Sequence, residues 1–464
     1  MQVKIFEGFD LFSKSFNAKE HKDVSVTVQE ILETVREKGD SALREYTERF
    51  DNVIPESWLV PKPLLTEALE NLDHELFHIL EEAADNIMFF HERQKTGSQL
   101  DFSPDGTVLG WKVTPVDSVG IYIPGGRAVY PSTLLMNVIP AQVAGVPRIA
   151  MVSPPGPSGH PHQLVMASAA LMGLEELYSV GGAQSIGALA YGTESIQQVV
   201  KITGPGNAYV AEAKRQVFGT VGIDSFAGPS EIMVVCDRDD IPVEYLVRDM
   251  LSQAEHDPDA RAVLVTTSAK QAKDVSKRLK KLVPTLPRRE IIEASFANRS
   301  AIIVAEDLEE IFEVINELAP EHLEVLTKQP FEDLHRIRNA GAIFLGPNSP
   351  EPVGDYFAGP NHTLPTSGSA KFSSPLGVQD FVKTSSVISY SPERLELQGE
   401  QIIRFAEEEQ LFAHAEAIKV RLKKQQAAKN SDINSIRIRF LVLLFLVPCP
   451  RALCERPGGL LFYP

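Results

Sequence analysis

Apolar positions recur at helical spacing through the first hundred residues. Val28, Ile31, Leu32 and Val35 lie three and four apart with charges between them, so residues 25–50 read as helical, with Gly39 interrupting the pattern before Leu43. Leu65, Leu69, Leu72, Leu76 and Ile79 carry the same pattern through 63–95. From about residue 107 the texture changes. VGIYIPGG (119–126), RIAMVSPP (148–155) and ELYSVGG (176–182) are short apolar runs closed by glycine or proline, the mark of strands running into loops. A helical stretch spans His162 to Met172. A second series follows: EIMVVCD (231–237), a helix from near Pro242, RAVLVTT (261–267), SAIIVAE (300–306), a helix over 307–318 and GAIFLG (341–346). Strands alternating with helices predict parallel α/β sheets, here in two series separated by the glycine-rich region around 204–230.

Composition narrows the function classes. The 464 residues suggest roughly two to four domains. Sixty-two acidic against 45 basic side chains give a formal charge of −17, which is unsuited to tracking phosphate backbones, so no nucleic-acid partner is expected. The three cysteines, Cys236, Cys449 and Cys454, form neither a disulfide framework nor a CxxC pair, which fits a reducing, cytoplasmic compartment. The N-terminus lacks a basic region followed by an apolar run, and no stretch reaches the ~18 apolar residues of a membrane span. Neither a signal peptide nor membrane insertion is expected. The last segment, 430–464, departs from this texture. Its apolar run FLVLLFLV (440–447) is too short to cross a bilayer, and no function is assigned to it.

Five segments carry candidate chemistry. In DMLSQAEHDPDA (249–260), Gln253 and His256 are three apart at the end of the helix from Pro242 and so share a face. An amide oxygen and an imidazole there can hold zinc, or they are polar residues closing a helix before Asp-Pro. In APEHLEV (319–325), Glu321 and His322 are adjacent, and a carboxylate beside an imidazole can tune a base or activate water. An isolated pair of this kind is more often two exposed residues at a helix start. GDYFAGPNHTLPTSGSAKFSSPLGV (354–378) reads as a long loop in which Asp355 and His362 are ligand or substrate contacts, or parts of a solvated connector. In EEEQLFAHAEA (407–417), Glu409 and His414 are five apart, on different sides of one helix, so a common target requires the helix end to insert at the site. The alternative is a solvated face. GPGNAYVAEAKRQV (204–217) places Gly-Pro-Gly-Asn before a helix, leaving N–H groups for an anion, with PGGRAVYPS (124–132) and GGAQSIGALAYG (181–192) similar in kind. Ordinary turns explain these segments equally well, and no GxGxxG fingerprint is present.

Taken in order, GPGNAYVAEAKRQVFGTVGIDSFAGPSEI, LSQAEHDP, APEHLE and GDYFAGPNHTLPTSG closely resemble the histidinol dehydrogenase family, over about residues 1–425. The resemblance implies an α/β protein of two incomplete Rossmann-like domains without GxGxxG, plus small N- and C-terminal segments that embrace a partner subunit. Its divisions are an N-terminal segment (1–25), a main domain with the metal site (26–115 and 233–372), a second domain with the NAD contacts (116–232), an arm reaching the partner (373–429) and an atypical tail (430–464). The implied activity is the oxidation of L-histidinol to L-histidine through histidinal, with two NAD and one zinc per subunit, at the end of histidine biosynthesis.

The implied zinc ligands are Gln253, His256, Asp355 and His414, and the implied acid–base pair is Glu321 and His322. Substrate contacts would include these metal ligands and His322, together with Ser230, His362 and Glu409, while Tyr122, Gln184 and Asn207 would contact NAD. The family's homodimer would bring Glu409 and His414 to the neighbouring subunit's site. Cys236, at the end of an apolar strand, has no role in this chemistry and is expected to be a buried small hydrophobe. Two other classes compete: a zinc hydrolase with Glu321 as base, whose usual HExxH spacing is absent, and a binding protein without catalysis.

Overall fold

A computed structural model describes residues 3–15, 23–125, 129–225 and 228–429. The 430–464 tail, with Cys449 and Cys454, lies outside the described residues. The strands, in chain order, are β1 (Lys4–Glu7), β2 (Gln99–Phe102), β3 (Val108–Pro115), β4 (Val119–Tyr122), β5 (Ile149–Ser153), β6 (Leu177–Ser179), β7 (Lys201–Thr203), β8 (Gly222–Ile223), β9 (Glu231–Cys236), β10 (Arg261–Thr266), β11 (Ala301–Val304), β12 (His322–Leu326), β13 (Ala342–Leu345) and β14 (Val382–Ser389). They form a six-stranded sheet of order β1-β11-β10-β9-β12-β13, a five-stranded sheet of order β6-β5-β4-β7-β8 and a three-stranded sheet of order β14-β3-β2. The first two are parallel throughout, and β2–β3 is antiparallel. The two α/β series of the sequence are these two parallel sheets.

Chain contacts divide the molecule into two compact units. The first comprises Met1–Gly97 and Val113–Ser385 and holds both parallel sheets. The second comprises Ser98–Lys112 and the described residues from Ser386 onward, including the helices Pro392–Glu408 and Phe412–Lys429, which pack on each other.

Burial on both faces explains the unbroken apolar character of the central strands. In β9, Ile232, Val234 and Cys236 enter the core on one face with Leu246, Val247 and Met250, while Met233 and Val235 enter the other with Ile311 and Ile315. Cys236 is fully buried there, as its place in the sequence suggested. Burial pushes its thiol pKa up and keeps it unreactive. The long helical region of 25–50 is two helices, Ser25–Lys38 and Asp40–Asp51, hinged at Gly39. Gly39 has φ +53°, and a Cβ there would meet Glu194 Oε2 at 2.3 Å, the carboxylate that accepts the Asp40 N–H at 2.7 Å. Glycine alone satisfies both conditions. The 63–95 region likewise divides, into Lys62–Glu70 and His74–Glu92. Among the described residues no helix is long and apolar enough to cross a membrane.

Candidate active site

Two positions in the first unit gather the residues singled out by the sequence. The first lies at the amino ends of the six-stranded sheet. The helix Val243–Ala254 runs back from β9 and ends there with Gln253 in its last turn. Gln253 is fully buried, and neither its amide oxygen nor its amide nitrogen has a hydrogen-bond partner. His256 does not continue the helix, as the shared-face reading required. It sits past the end in a turn whose N–H donates to the Gln253 carbonyl at 3.1 Å. Asp355 is not in a loop either, but on the short helix Glu351–Tyr356. One donor atom from each of His256, Glu351 and Asp355 lies within 4.8 Å of the other two. Donors around tetrahedral zinc stand roughly 3.3 Å apart, so modest side-chain rotation closes the group on an ion. A buried amide without partners, an imidazole and two carboxylates form a donor set that fits zinc. Burial works against the Asp355 carboxylate, yet His322 and His362 beside it outweigh that and hold its pKa down at about 2. Burial lowers the His256 imidazole and keeps it neutral, the form that ligates.

The candidate acid–base pair lies at the start of β12. Both are buried, Glu321 just before the strand and His322 as its first residue, which overturns the alternative of two exposed residues at a helix start. The Glu231 N–H donates to Glu321 Oε2 at 2.7 Å, and His322 Nδ1 lies 3.0 Å from the Glu231 carbonyl. A carbonyl only accepts, so Nδ1 carries the proton and Nε2 is the free position of the neutral ring. Nε2 has no hydrogen-bond partner and stands 3.6 Å from Asp355 Oδ1. Burial opposes the charged imidazole, but the surrounding carboxylates of Glu321, Asp355 and Glu351 prevail and push His322 up to about 10. Burial lifts Glu321 to about 8, against the pull of His322 and of the Glu231 N–H. Neither Glu231, which orients both groups through its backbone, nor Glu351 was found from the sequence. Glu351 stands four residues before Asp355 on one face of a helix too short to be read from the sequence.

Ser230 is half-buried directly before Glu231. His362 joins the site through Nδ1, which donates to the Asp355 carbonyl at 3.1 Å, while the Thr133 hydroxyl lies 3.4 Å from its Nε2. A ligand reaching Nε2 must displace that hydroxyl. Glu409 and His414 belong to the second unit, and both are exposed. They do not share one helix. Glu409 caps Pro392–Glu408, the chain turns at Gln410 with φ +61°, and His414 lies in the next helix. The five-residue spacing therefore crosses a corner.

The second position is a cavity of about 1330 Å³ lined by Tyr122, Gln184 and Asn207. Tyr122 ends β4, and Asn207 follows β7. From β4 the chain proceeds outward to β5 and β6, then returns to place β7 on the other side, so the cavity opens at the sheet's topological switch point, where α/β proteins bind nucleotides. The Tyr122 hydroxyl accepts the Gly182 N–H at 3.3 Å, and burial pushes its pKa up to about 12. Gln184 is buried with both amide atoms unpartnered, ready for a polar ligand. Asn207 corrects the idea of free N–H groups at the helix start: its Oδ1 accepts from Tyr209 N at 3.0 Å and Val210 N at 3.1 Å, leaving its NH2 group to face a ligand. Residues 126–128 of the neighbouring glycine segment lie outside the described residues.

Comparison with known proteins gives the family. The family model described as histidinol dehydrogenase matches residues 14–422. A histidinol dehydrogenase of Geobacillus kaustophilus is 55% identical over 397 residues, covering 86% of this chain and 93% of that protein. One from Bacillus subtilis is 51% identical over 426 residues, covering 91% and 99%. The crystal structure of histidinol dehydrogenase from Elizabethkingia anophelis superposes with a TM-score of 0.86 at 34% identity, over 92% of this chain and 99% of that one.

Proposed function

The chain belongs to the histidinol dehydrogenase family, and from that premise we propose that it oxidises L-histidinol to L-histidine in two NAD-dependent steps at a zinc site, as a homodimer in the cytoplasm, in the closing steps of histidine biosynthesis. When bound, zinc would hold the substrate's imidazole and amino nitrogens, and NAD would accept two electrons with each hydride. Gln253, His256 and Asp355 are the residues of this subunit that would hold the metal, and Tyr122, Gln184 and Asn207 those that would hold NAD. Glu409 and His414 of the partner subunit would complete the pocket.

His322 takes the alcohol proton on Nε2 as the alcohol becomes an aldehyde. Its Nδ1 stays committed to the Glu231 carbonyl, so the ring keeps one orientation through both protonation states. With Asp355 engaged by a cation, less negative charge faces the imidazole, which then titrates nearer its ordinary value and is available as a base. Glu321, held by the Glu231 N–H, draws a proton from the water that attacks the aldehyde. Oxidation of the resulting hydrate gives the acid. Ser230 and His362 line the substrate's side of the pocket.

The observation that carries this reading is a buried Gln253 amide with no partner, on the helix end next to a His–Glu–Asp donor group. The test is to supply histidinol and NAD and count reduced cofactor per histidine formed. A ratio near two is expected, with loss of activity on chelation and recovery on adding zinc. A ratio of one, with aldehyde as the end product, or activity that survives complete metal removal, would overturn it.

A further inference from the structure

We propose that His91 is a positioning residue for the amino-alcohol substrate: through Asn361 it anchors the extended segment that carries His362. This rests on the reading above that His362 lines the substrate's side of the pocket. His91 is fully buried in the last turn of the helix His74–Glu92 and takes no part in the chemistry proposed above. Its Nδ1 lies 2.9 Å from Gln94 Oε1, and its Nε2 lies 3.3 Å from Asn361 Nδ2. The Asn361 amide is already oriented, because its oxygen accepts the Thr363 N–H at 2.8 Å and its nitrogen donates to the Met136 carbonyl at 2.5 Å. An amide nitrogen only donates, so Nε2 of His91 is the acceptor and the ring's proton sits on Nδ1, donating to Gln94. Burial lowers the imidazole pKa and keeps the ring in that neutral form.

The same helix end holds the chain on both sides of the segment. Gln94 Oε1 also accepts the Val378 N–H at 3.0 Å, and the Gln94 carbonyl accepts from Gln379 Nε2 at 2.7 Å. Between these points the Leu376 N–H donates to the Thr363 carbonyl at 2.9 Å. Gly359 lies directly on the helix: its φ is +102°, and a Cβ there would stand 2.6 Å from the Asn86 carbonyl. Thr363 Oγ1 accepts from Asn137 Nδ2 at 3.2 Å, and that nitrogen donates to the Thr133 carbonyl at 2.9 Å. Asn361 and Thr363 are thus fixed in buried surroundings, and His362 between them faces the Asp355 carbonyl and the Thr133 hydroxyl. A buried polar network holds one arrangement because a member left without its partner is costly. Without the acceptor on His91 the segment can shift, and a substrate contact displaced by about an ångström loses much of its worth.

The test measures KM for histidinol and for NAD in the full-length protein with zinc, and in His91→Leu, His91→Gln, His362→Ala and the double variant of His91→Leu with His362→Ala. We expect His91→Leu to raise KM for histidinol about tenfold and to leave KM for NAD within about twofold of the parent. His91→Gln, which returns an acceptor to Asn361, should recover most of the loss. The double variant should be no worse than His362→Ala alone, since residues that act through one contact are not additive. An unchanged KM for histidinol in His91→Leu, an equal rise in both KM values, additive losses in the double variant, or His91→Gln no better than His91→Leu would each overturn the proposal. If His362→Ala leaves KM for histidinol unchanged, the substrate reading is wrong and the proposal falls with it. If His362→Ala raises that KM and His91→Leu does not, the proposal alone falls. Should His91→Leu fail to fold, Asn361→Ser, which removes the amide facing His91, is judged by the same split between the two KM values and the same double variant.

Discussion

Asp51 ends its helix on the wall of the large cavity with Oδ2 buried and unpartnered. Burial raises its carboxyl from 3.8 to about 6, and the carbonyl end of a helix is itself a poor place for negative charge. A raised acid pKa means the folded chain holds this proton more tightly than the unfolded one. Its contribution to stability is full below pH 3.8 and falls away as pH climbs to about 6. Asp51→Asn, which never ionises, should therefore be more stable than the parent at pH 7.5 by about 1–2 kcal/mol, a value discounted for the residue's partial exposure. The difference should shrink toward pH 4.5. Urea unfolding at the two pH values measures it, and an equal difference at both would show that the charge is not the cause. At this scale residue type and adjacency marked Gln253, His256, Glu321, His322 and Asp355 only as candidates beside plain structural readings, and the roles proposed for them came from the family resemblance. Glu351 escaped because its helix is one short turn and a half opened by proline, too brief to show a periodicity. The orienting role of Glu231 belongs to its backbone, which no side-chain pattern records.

The loop that carries Asn207 is held by a buried ion pair. Lys214 and Asp224 are 2% and 3% exposed and in direct contact. Lys214 Nζ donates to the Gly204 carbonyl at 2.9 Å, and Asp224 Oδ2 accepts the Gly204 N–H at 2.8 Å. Gly204 has φ +106°, and a Cβ there would stand 2.2 Å from the Tyr122 carbonyl, so the residue can be held this closely only as glycine. Lys214→Met removes the cation and leaves Asp224 buried without it. The expected loss is about 3–5 kcal/mol of stability in chemical denaturation, with a raised KM for NAD and a smaller change in kcat. A loss under about 1 kcal/mol would mean the pair does not brace the loop. The apolar runs at β4, β5, β6, β9, β10 and β11 were legible because both faces of these parallel strands are buried, while β13, an edge strand only partly buried, was legible from the glycines that bracket GAIFLG. β1 was not, since KIFE is short and lies at a sheet edge with only one neighbour, β11. The lysine and aspartate that brace Gly204 are ten and twenty residues away from it, a relation visible only in three dimensions.

Across the molecule, the candidate chemistry collects where two parallel sheets present opposite ends: the amino ends of the six-stranded sheet carry His256, Glu321, His322 and Asp355, and the carboxyl ends of the five-stranded sheet open the cavity lined by Tyr122, Gln184 and Asn207. Open α/β sheets usually take ligands at the carboxyl ends, which is where the cavity of the five-stranded sheet lies, whereas the candidate residues of the six-stranded sheet lie at the opposite ends. The second unit exposes Glu409 and His414, and if these serve the neighbouring subunit, a dimer of His322→Ala with His414→Ala contains one intact pocket. Each variant alone should be nearly inactive. Random reassortment should restore roughly a quarter of parental activity, because half the dimers are mixed and each has one good site of two. Mixed dimers verified by differential tagging that stay inactive would rule out sharing. Sharing of sites between subunits is an expectation of the family resemblance alone, because the five-residue spacing gives no hint of the corner between the two helices.

The ring of His322 takes its bearing from a main-chain oxygen at position 231. Replacing that residue exchanges a side chain but leaves the oxygen in place, so mutational drift there can alter the neighbourhood without turning the imidazole. Only a slip of β12 along β9 would misalign it, and that would disrupt the whole sheet. The aim of the ring's other nitrogen is thus inherited from the fold, and is as durable as the pairing of two adjacent strands.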